Sequence, residues 1–240
     1  TSGIGNHTFC LPANGTCPVP QPAVWGNGLS FNGNTLLAVT RAHGTDHLSD
    51  SGPKTWSMWV RRGSADAGTL MYKGDDDTSS TYTYRGWWID FRSPTELGFT
   101  GTRIGTDARR YTTDVPPAGQ WFHLVVTWNG GSSPNGIHVY INGQEPHYST
   151  SQSFSQGQVD DLNLRIGMGR LAATTGFHGD LDEVAVYSRV LPADEVRSRY
   201  TVQSARRAAF FDSRVMTDTS GSGAWSSIGW LAQQPLGKEL

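Results

Sequence analysis

The sequence predicts an all-β protein of two packed antiparallel sheets with one short helix near the C-terminal end. Charged residues make up only 17% of the 240 positions, below the usual quarter of a globular chain. There are 29 Gly and 12 Pro, with 9 Trp and 8 Tyr. Gly and Pro punctuate turns, and aromatics fit pleated, half-buried surfaces. Short segments with period-two alternation recur along the chain, and that is the strand signature.

Residues 1–22 read as an arm rich in Gly, Pro, Asn and Thr. Cys10 and Cys17, the only cysteines, flank a turn-like Pro12–Thr16 segment. With no further Cys and only His7 close by, they suit a small disulfide loop better than a zinc site, which points to an oxidising compartment. Asn6-His7-Thr8 and Asn14-Gly15-Thr16 are glycosylation sequons.

Strands are expected at Leu29–Gly33, Leu36–Thr40 and Thr55–Arg61, the last alternating Trp56, Met58 and Val60 against Trp59 and Arg61. Thr69–Lys73 follows. In Gly86–Phe91, Trp87, Ile89 and Phe91 share one side, with Trp88 and Asp90 on the other. Glu96–Thr100 comes next. Trp121–Trp128 is a nearly continuous apolar run, joined to Ile137–Ile141 by a Gly- and Ser-rich hairpin loop. Asn142-Gly143 favours a type I′ turn, whose two central residues need positive φ. Leu162–Ile166 and Asp180–Tyr187 complete the strands. Pro192–Tyr200 reads as the helix, with Asp194 and Glu195 in its first turn and Arg197 and Arg199 in its last. Trp56, Trp59, Trp121 and Trp128 are expected in the core.

Charge and hydropathy exclude two classes of partner. Net charge is −2 and no basic stripe is present, so phosphate neutralisation on nucleic acid is not expected. No apolar run approaches the roughly 18 residues of a membrane span, so membrane insertion is not expected either.

The order of motifs resembles the laminin G-like, concanavalin A-like jelly-roll domains of secreted proteins. The matching segments are Gly28–Gly33, Thr55–Val60, Gly119–Gly130, Val139–Gly143, Arg165–Gly167 and Gly179–Leu191. The resemblance covers about residues 25–200 and implies a jelly-roll sandwich over residues 23–204. Residues 205–240 look like a β extension, or like the start of a following module in large bacterial surface or secreted proteins. The resemblance implies an extracellular binding or adhesion module recognising carbohydrate or another cell-surface ligand. The alternatives are a structural or protein-binding spacer and, third, a polysaccharide-degrading enzyme. The sequence leaves the oligomeric state open.

Catalysis by the related glucanases needs acidic residues alternating along one strand face. The nearest segment is Asp180-Leu181-Asp182-Glu183-Val184-Ala185. Glu183 falls on the wrong face and positions 184 and 185 are apolar, so no catalytic residues are assigned. Domains of this resemblance often carry one Ca²⁺, which takes carboxylate and carbonyl oxygens. Candidate ligands are Asp75 and Asp77, within the acidic run Asp75–Asp77, and Asp182. A solvated loop is the other reading of the first two. For Asp182, grouped with Val184 and Val186 on an inward face, the other reading is a hydrogen-bonding post. Sugars are gripped by aromatic faces and planar polar side chains. Two loops supply these: Thr78–Arg85 with Tyr82, Tyr84 and Arg85, and Thr102–Tyr111 with Arg103, Asp107, Arg109 and Tyr111. His123 and His138 are expected on opposite arms of one hairpin, where they could pair.

Overall fold

The computed structural model describes residues 8–10, 17–39, 52–63, 67–74, 86–103, 106–154, 164–169 and 176–207. The strands are β1 (Thr8–Cys10), β2 (Val19–Pro22), β3 (Asn27–Asn32), β4 (Leu37–Val39) and β5 (Lys54–Arg62). They continue as β6 (Gly68–Gly74), β7 (Gly86–Ser93), β8 (Glu96–Arg103), β9 (Thr106–Thr112) and β10 (Trp121–Trp128). The last four are β11 (Ile137–Ile141), β12 (Thr150–Phe154), β13 (Leu164–Ile166) and β14 (His178–Tyr187). Helix α1 (Ala193–Arg207) follows. An eight-stranded sheet runs β1-β4-β13-β6-β7-β8-β9-β12, and a six-stranded sheet runs β11-β10-β5-β14-β3-β2. The strands of both sheets pair antiparallel, with the crossovers of a jelly roll.

Alternation places the core between the sheets. Trp56, Met58 and Val60 of β5 meet Trp87, Ile89 and Phe91 of β7, together with Phe122, Leu124 and Val126 of β10. The Trp56 ring lies 4.5 Å from Trp87 and 4.9 Å from Phe99, and Phe99 lies 5.6 Å from Trp128. Each such fully buried side chain contributes roughly 1.5–3 kcal/mol of transfer free energy.

A second, smaller layer forms on the outer face of the six-stranded sheet. Val125, Tyr140, Leu191 and Val196 cluster there with Tyr187. Trp59 belongs to this side. It is 2% exposed, its indole N–H donates to Gln203, and its ring faces His123 and Tyr200. The core expectation for Trp59 therefore holds only for its burial, since helix α1 covers it and not the opposite sheet. Trp121 corrects the expectation outright, being half-buried with the Arg61 guanidinium 5.1 Å from its ring centroid. The helix also runs seven residues past Tyr200. That polar last stretch carries Gln203, the partner that holds Trp59.

Two turns depend on unusual backbone conformations. Asn142 and Gly143 have φ of 53° and 76°, as a type I′ hairpin turn requires. Gly167 has φ of 85°, and a Cβ there would sit 2.1 Å from the Phe31 ring. In β14 the register slips between Asp182 and Ala185, with Glu183 at φ 50°. This bulge separates residues that strict alternation would group, as bulges do. Val184 becomes 36% exposed while Val186 still packs on the core.

Candidate functional site

The outer face of the eight-stranded sheet is built from side chains opposite the core-facing set. One register row crosses the sheet as Arg165, Tyr72, Trp88, Thr100, Arg109 and Gln152. The neighbouring row carries Asp90, Gly98, Tyr111 and Thr150. Gly98 has a physical reason to be there. A Cβ at that position would lie 2.1 Å from the Arg110 carbonyl oxygen and 2.8 Å from Cδ1 of Tyr111.

Three adjacent strands converge on one carboxylate. The Tyr111 hydroxyl donates to Asp90 Oδ1 at 2.6 Å. Its single proton is thereby placed, so Thr100 must donate to the Tyr111 oxygen across their 3.0 Å contact. The Trp88 indole lies near enough to favour the ionised form of the same oxygen. Arg92 lies over the Tyr111 ring, 5.6 Å from its centroid. Thr100 and Tyr111 are each 2% exposed, whereas Asp90 and Trp88 keep part of their surface open. Burial disfavours the ionised carboxylate and pushes the Asp90 pKa up to about 6, against the Tyr111 hydrogen bond, which lowers it. Burial first, and then the neighbouring Asp90 charge, push the Tyr111 phenol well up. Farther along the face, Arg109 donates to the Gln152 side-chain oxygen.

The ends of these strands gather the connections in which ligand-binding loops were expected. Gly74 pairs with Gly86, and Arg103 pairs with Thr106. Trp87 pairs with Gly101, so the β6–β7 and β8–β9 connections emerge side by side at one end of the sheet. Tyr82, Tyr84, Arg85, Asp75 and Asp77 lie in the first connection, outside the described residues. Arg103 and Asp107 sit on β8 and β9, with side chains outside the description. The Thr102–Tyr111 loop is corrected, because all but two of its residues are strand. Tyr111 is accordingly an internal hydrogen-bonding centre. Arg110 donates to the Ile137 carbonyl and lies 4.2 Å over the Tyr148 ring.

Asp182 accepts backbone N–H groups from Trp25 and Glu183 at 2.8 Å each. It lies in register with Trp59, opposite the core-facing Leu181, so it does not point inward as alternation with Val186 implied. Both of its oxygens brace the chain, which fits a hydrogen-bonding post. Asp180 pairs with Arg61 at 2.7 Å. Among the described residues no group of three His, Cys, Asp or Glu could hold a metal ion. His123 and His138 do not pair. His123 meets Ser57 at 3.0 Å, His138 meets Glu145 at 2.8 Å, and the cross-strand neighbour of His138 is Thr127. Asp90 is the functional candidate that sequence reasoning missed. Its placement beside Trp88 was readable from alternation, but its partner Tyr111 lay in a segment read as a loop.

A two-sheet jelly roll with one face closed by a helix and the other lined by polar and aromatic side chains defines the class of lectin-like sandwiches. The chain belongs to the concanavalin A-like lectin/glucanases superfamily, whose family model matches residues 34–197. None of the curated proteins matches it. Among solved structures it is similar to domain 4 of AbnA, a GH43 extracellular arabinanase from Geobacillus stearothermophilus, in complex with arabinotriose. The identity is 19% and the TM-score 0.58, over 82% of this chain and 90% of that one. It is also similar to the botulinum neurotoxin serotype G binding domain, at 15% identity and TM-score 0.57, over 84% of this chain and 48% of that one. The binding domain of botulinum neurotoxin DC in complex with SialylT matches at 12% identity and TM-score 0.58, over 85% and 48%. The chain thus spans about half the length of the two toxin chains. At these identities the likeness establishes the fold.

Proposed function

We propose that this domain is an extracellular glycan-binding module and not an enzyme. One observation carries the reading: the strand ends that bound the segment with Tyr82, Tyr84 and Arg85, and those beside Arg103 and Asp107, lie together at the end of the sheet nearest the outer-face side chains Trp88 and Arg109. Aromatic faces beside planar polar groups are the chemistry that grips a sugar ring. The solved neighbour with arabinotriose supports the same class of ligand. The carboxylates of the 180–182 segment are held by Arg61 and by backbone N–H groups, which supports a binding role over hydrolysis.

Calcium enters this reading through Asp75 and Asp77, with Asp182 already occupied as a brace. A native-state ligand raises the melting temperature, so a Ca²⁺-dependent rise that Asp75→Asn removes supports the site. Extracellular residence and a Cys10–Cys17 disulfide belong to the same proposal. Among the described residues no cysteine is free, and no helix is long and apolar enough to cross a membrane.

A glycan array run with and without chelator tests the function. Retention of at least one glycan family, lost in Tyr82→Ala/Arg85→Ala, is expected. No glycan retained in either condition, with a protein partner recovered in its place, would select the spacer reading.

A further inference from the structure

We infer that Asp90 is the ligand-gripping residue on the outer face of the eight-stranded sheet, and that it selects neutral glycans presenting adjacent hydroxyl groups. This rests on the glycan-binding reading and adds the residue and the class of sugar.

The argument starts from hydrogen-bond capacity. A carboxylate accepts at about four lone-pair positions on its two oxygens. Asp90 has one hydrogen-bond donor among the described residues, the Tyr111 hydroxyl on Oδ1. Its elevated pKa, near 6, reflects burial that this single bond does not offset. Its remaining lone pairs face the open part of its surface, where water donates until a ligand hydroxyl replaces it. The surroundings are organised around that open edge. Thr100 donates to the Tyr111 oxygen, whose own proton goes to Asp90 and fixes Oδ1. Gly98 leaves the space in which the Tyr111 ring lies. Side chains from β8 and β9 thus orient one acid on β7, whose partners Thr100 and Tyr111 are closed and whose own surface is partly open.

The ligand must then supply donors. Two neighbouring sugar hydroxyls match a carboxylate edge, and the half-open Trp88 indole beside it offers an apolar surface to a ring face. A sugar bearing its own carboxylate or sulfate would bring like charge against Asp90 and is disfavoured. Arg92 does not reverse this, since its guanidinium lies over the Tyr111 ring.

The test uses the full chain at pH 7.5, saturation-transfer NMR and immobilised trisaccharides. Arabinotriose, xylotriose, cellotriose and maltotriose are the neutral probes, and trigalacturonic acid is the acidic one. Asp90→Asn and Tyr111→Phe are compared with the wild type, and Arg189→Ala on an exposed ion pair far along the chain serves as control. The expected result has four parts: the wild type engages a neutral probe, trigalacturonic acid binds at least tenfold more weakly, Asp90→Asn loses at least tenfold in affinity, and its melting temperature rises. Loss of binding together with a lower melting temperature would make Asp90 a structural post and overturn the inference. Equal binding by wild type and Asp90→Asn, or preference for the acidic probe, would overturn it and leave glycan binding standing. If no probe binds while Asp90→Asn is folded, the inference and the glycan reading both fall.

Discussion

The outer faces of the two sheets solve the problem of a second surface in different ways. On the six-stranded sheet, α1 covers Trp59, Val125 and Tyr140, and the polar groups there find protein partners such as Gln203 for the Trp59 indole. On the eight-stranded sheet, the corresponding positions hold Trp88, Asp90, Tyr111 and Arg109, with a partly open carboxylate that takes one protein donor among the described residues. The first arrangement stabilises the molecule. The second keeps a group oriented at a cost in stability, which is the usual mark of a site that meets something else.

The largest expected effect lies under the helix. Trp59→Ala removes a side chain packed on His123 and Tyr200 and strands the Gln203 amide. It should cost about 3–5 kcal/mol in urea unfolding, with loss of helical signal at 222 nm ahead of the main transition. A single unchanged transition would contradict the separate layer.

Acid should then act on the two faces with opposite signs. His123 is 1% exposed, its Nδ1 lacks a partner among the described residues, and burial first, then the Arg199 charge, bring its pKa to about 4. The unfolded chain binds this proton near 6.5, so stability is complete above that pH and falls as pH drops toward 4, by about 3 kcal/mol at most. Asp90, shifted up from 3.8 to about 6, is destabilising above pH 6. As pH falls through 6 toward 3.8 it returns on the order of 2–3 kcal/mol. The opposed slopes leave the wild type nearly flat between pH 4 and 6. His123→Gln should be steeply more stable in acid, and Asp90→Asn steeply less. Parallel profiles for the two variants, followed by thermal melts, would break the comparison.

Tyr111→Phe deletes the hydroxyl that joins Thr100 and Asp90. Left without that partner, the buried groups should cost about 1–3 kcal/mol in chemical unfolding. Arg109→Ala removes surface bonds to the Gln152 side chain, and its effect on stability should stay within about 0.5 kcal/mol. A larger loss there would mean that the face is structural.

Much of this fold was readable because apolar side chains alternate wherever two sheets face each other. Trp56, Met58 and Val60 against Trp59, and Trp87, Ile89 and Phe91 against Trp88 and Asp90, fall as alternation requires. Strand β9 escaped notice because Thr106–Thr112 offers the core little beyond Ala108, its arginines being turned to the outer face and the sheet edge. Strand β12 is a polar edge strand with exposed Ser151, Gln152 and Ser153. No periodicity marks such a segment. The Asp182 bulge was hidden too, since a one-residue register slip leaves no local signature. Of the candidate site, Arg109 and Tyr111 were singled out as loop residues, and they stand on strand β9. Asp90 needed the register of three strands before its isolation could be seen.

Hydrogen–deuterium exchange with and without saturating trisaccharide tests the contrast between the faces most directly. Slowed exchange in Gly86–Thr112, with α1 unchanged, is the expected outcome. Protection confined to Ala193–Arg207 would assign the ligand to the wrong face and contradict this account.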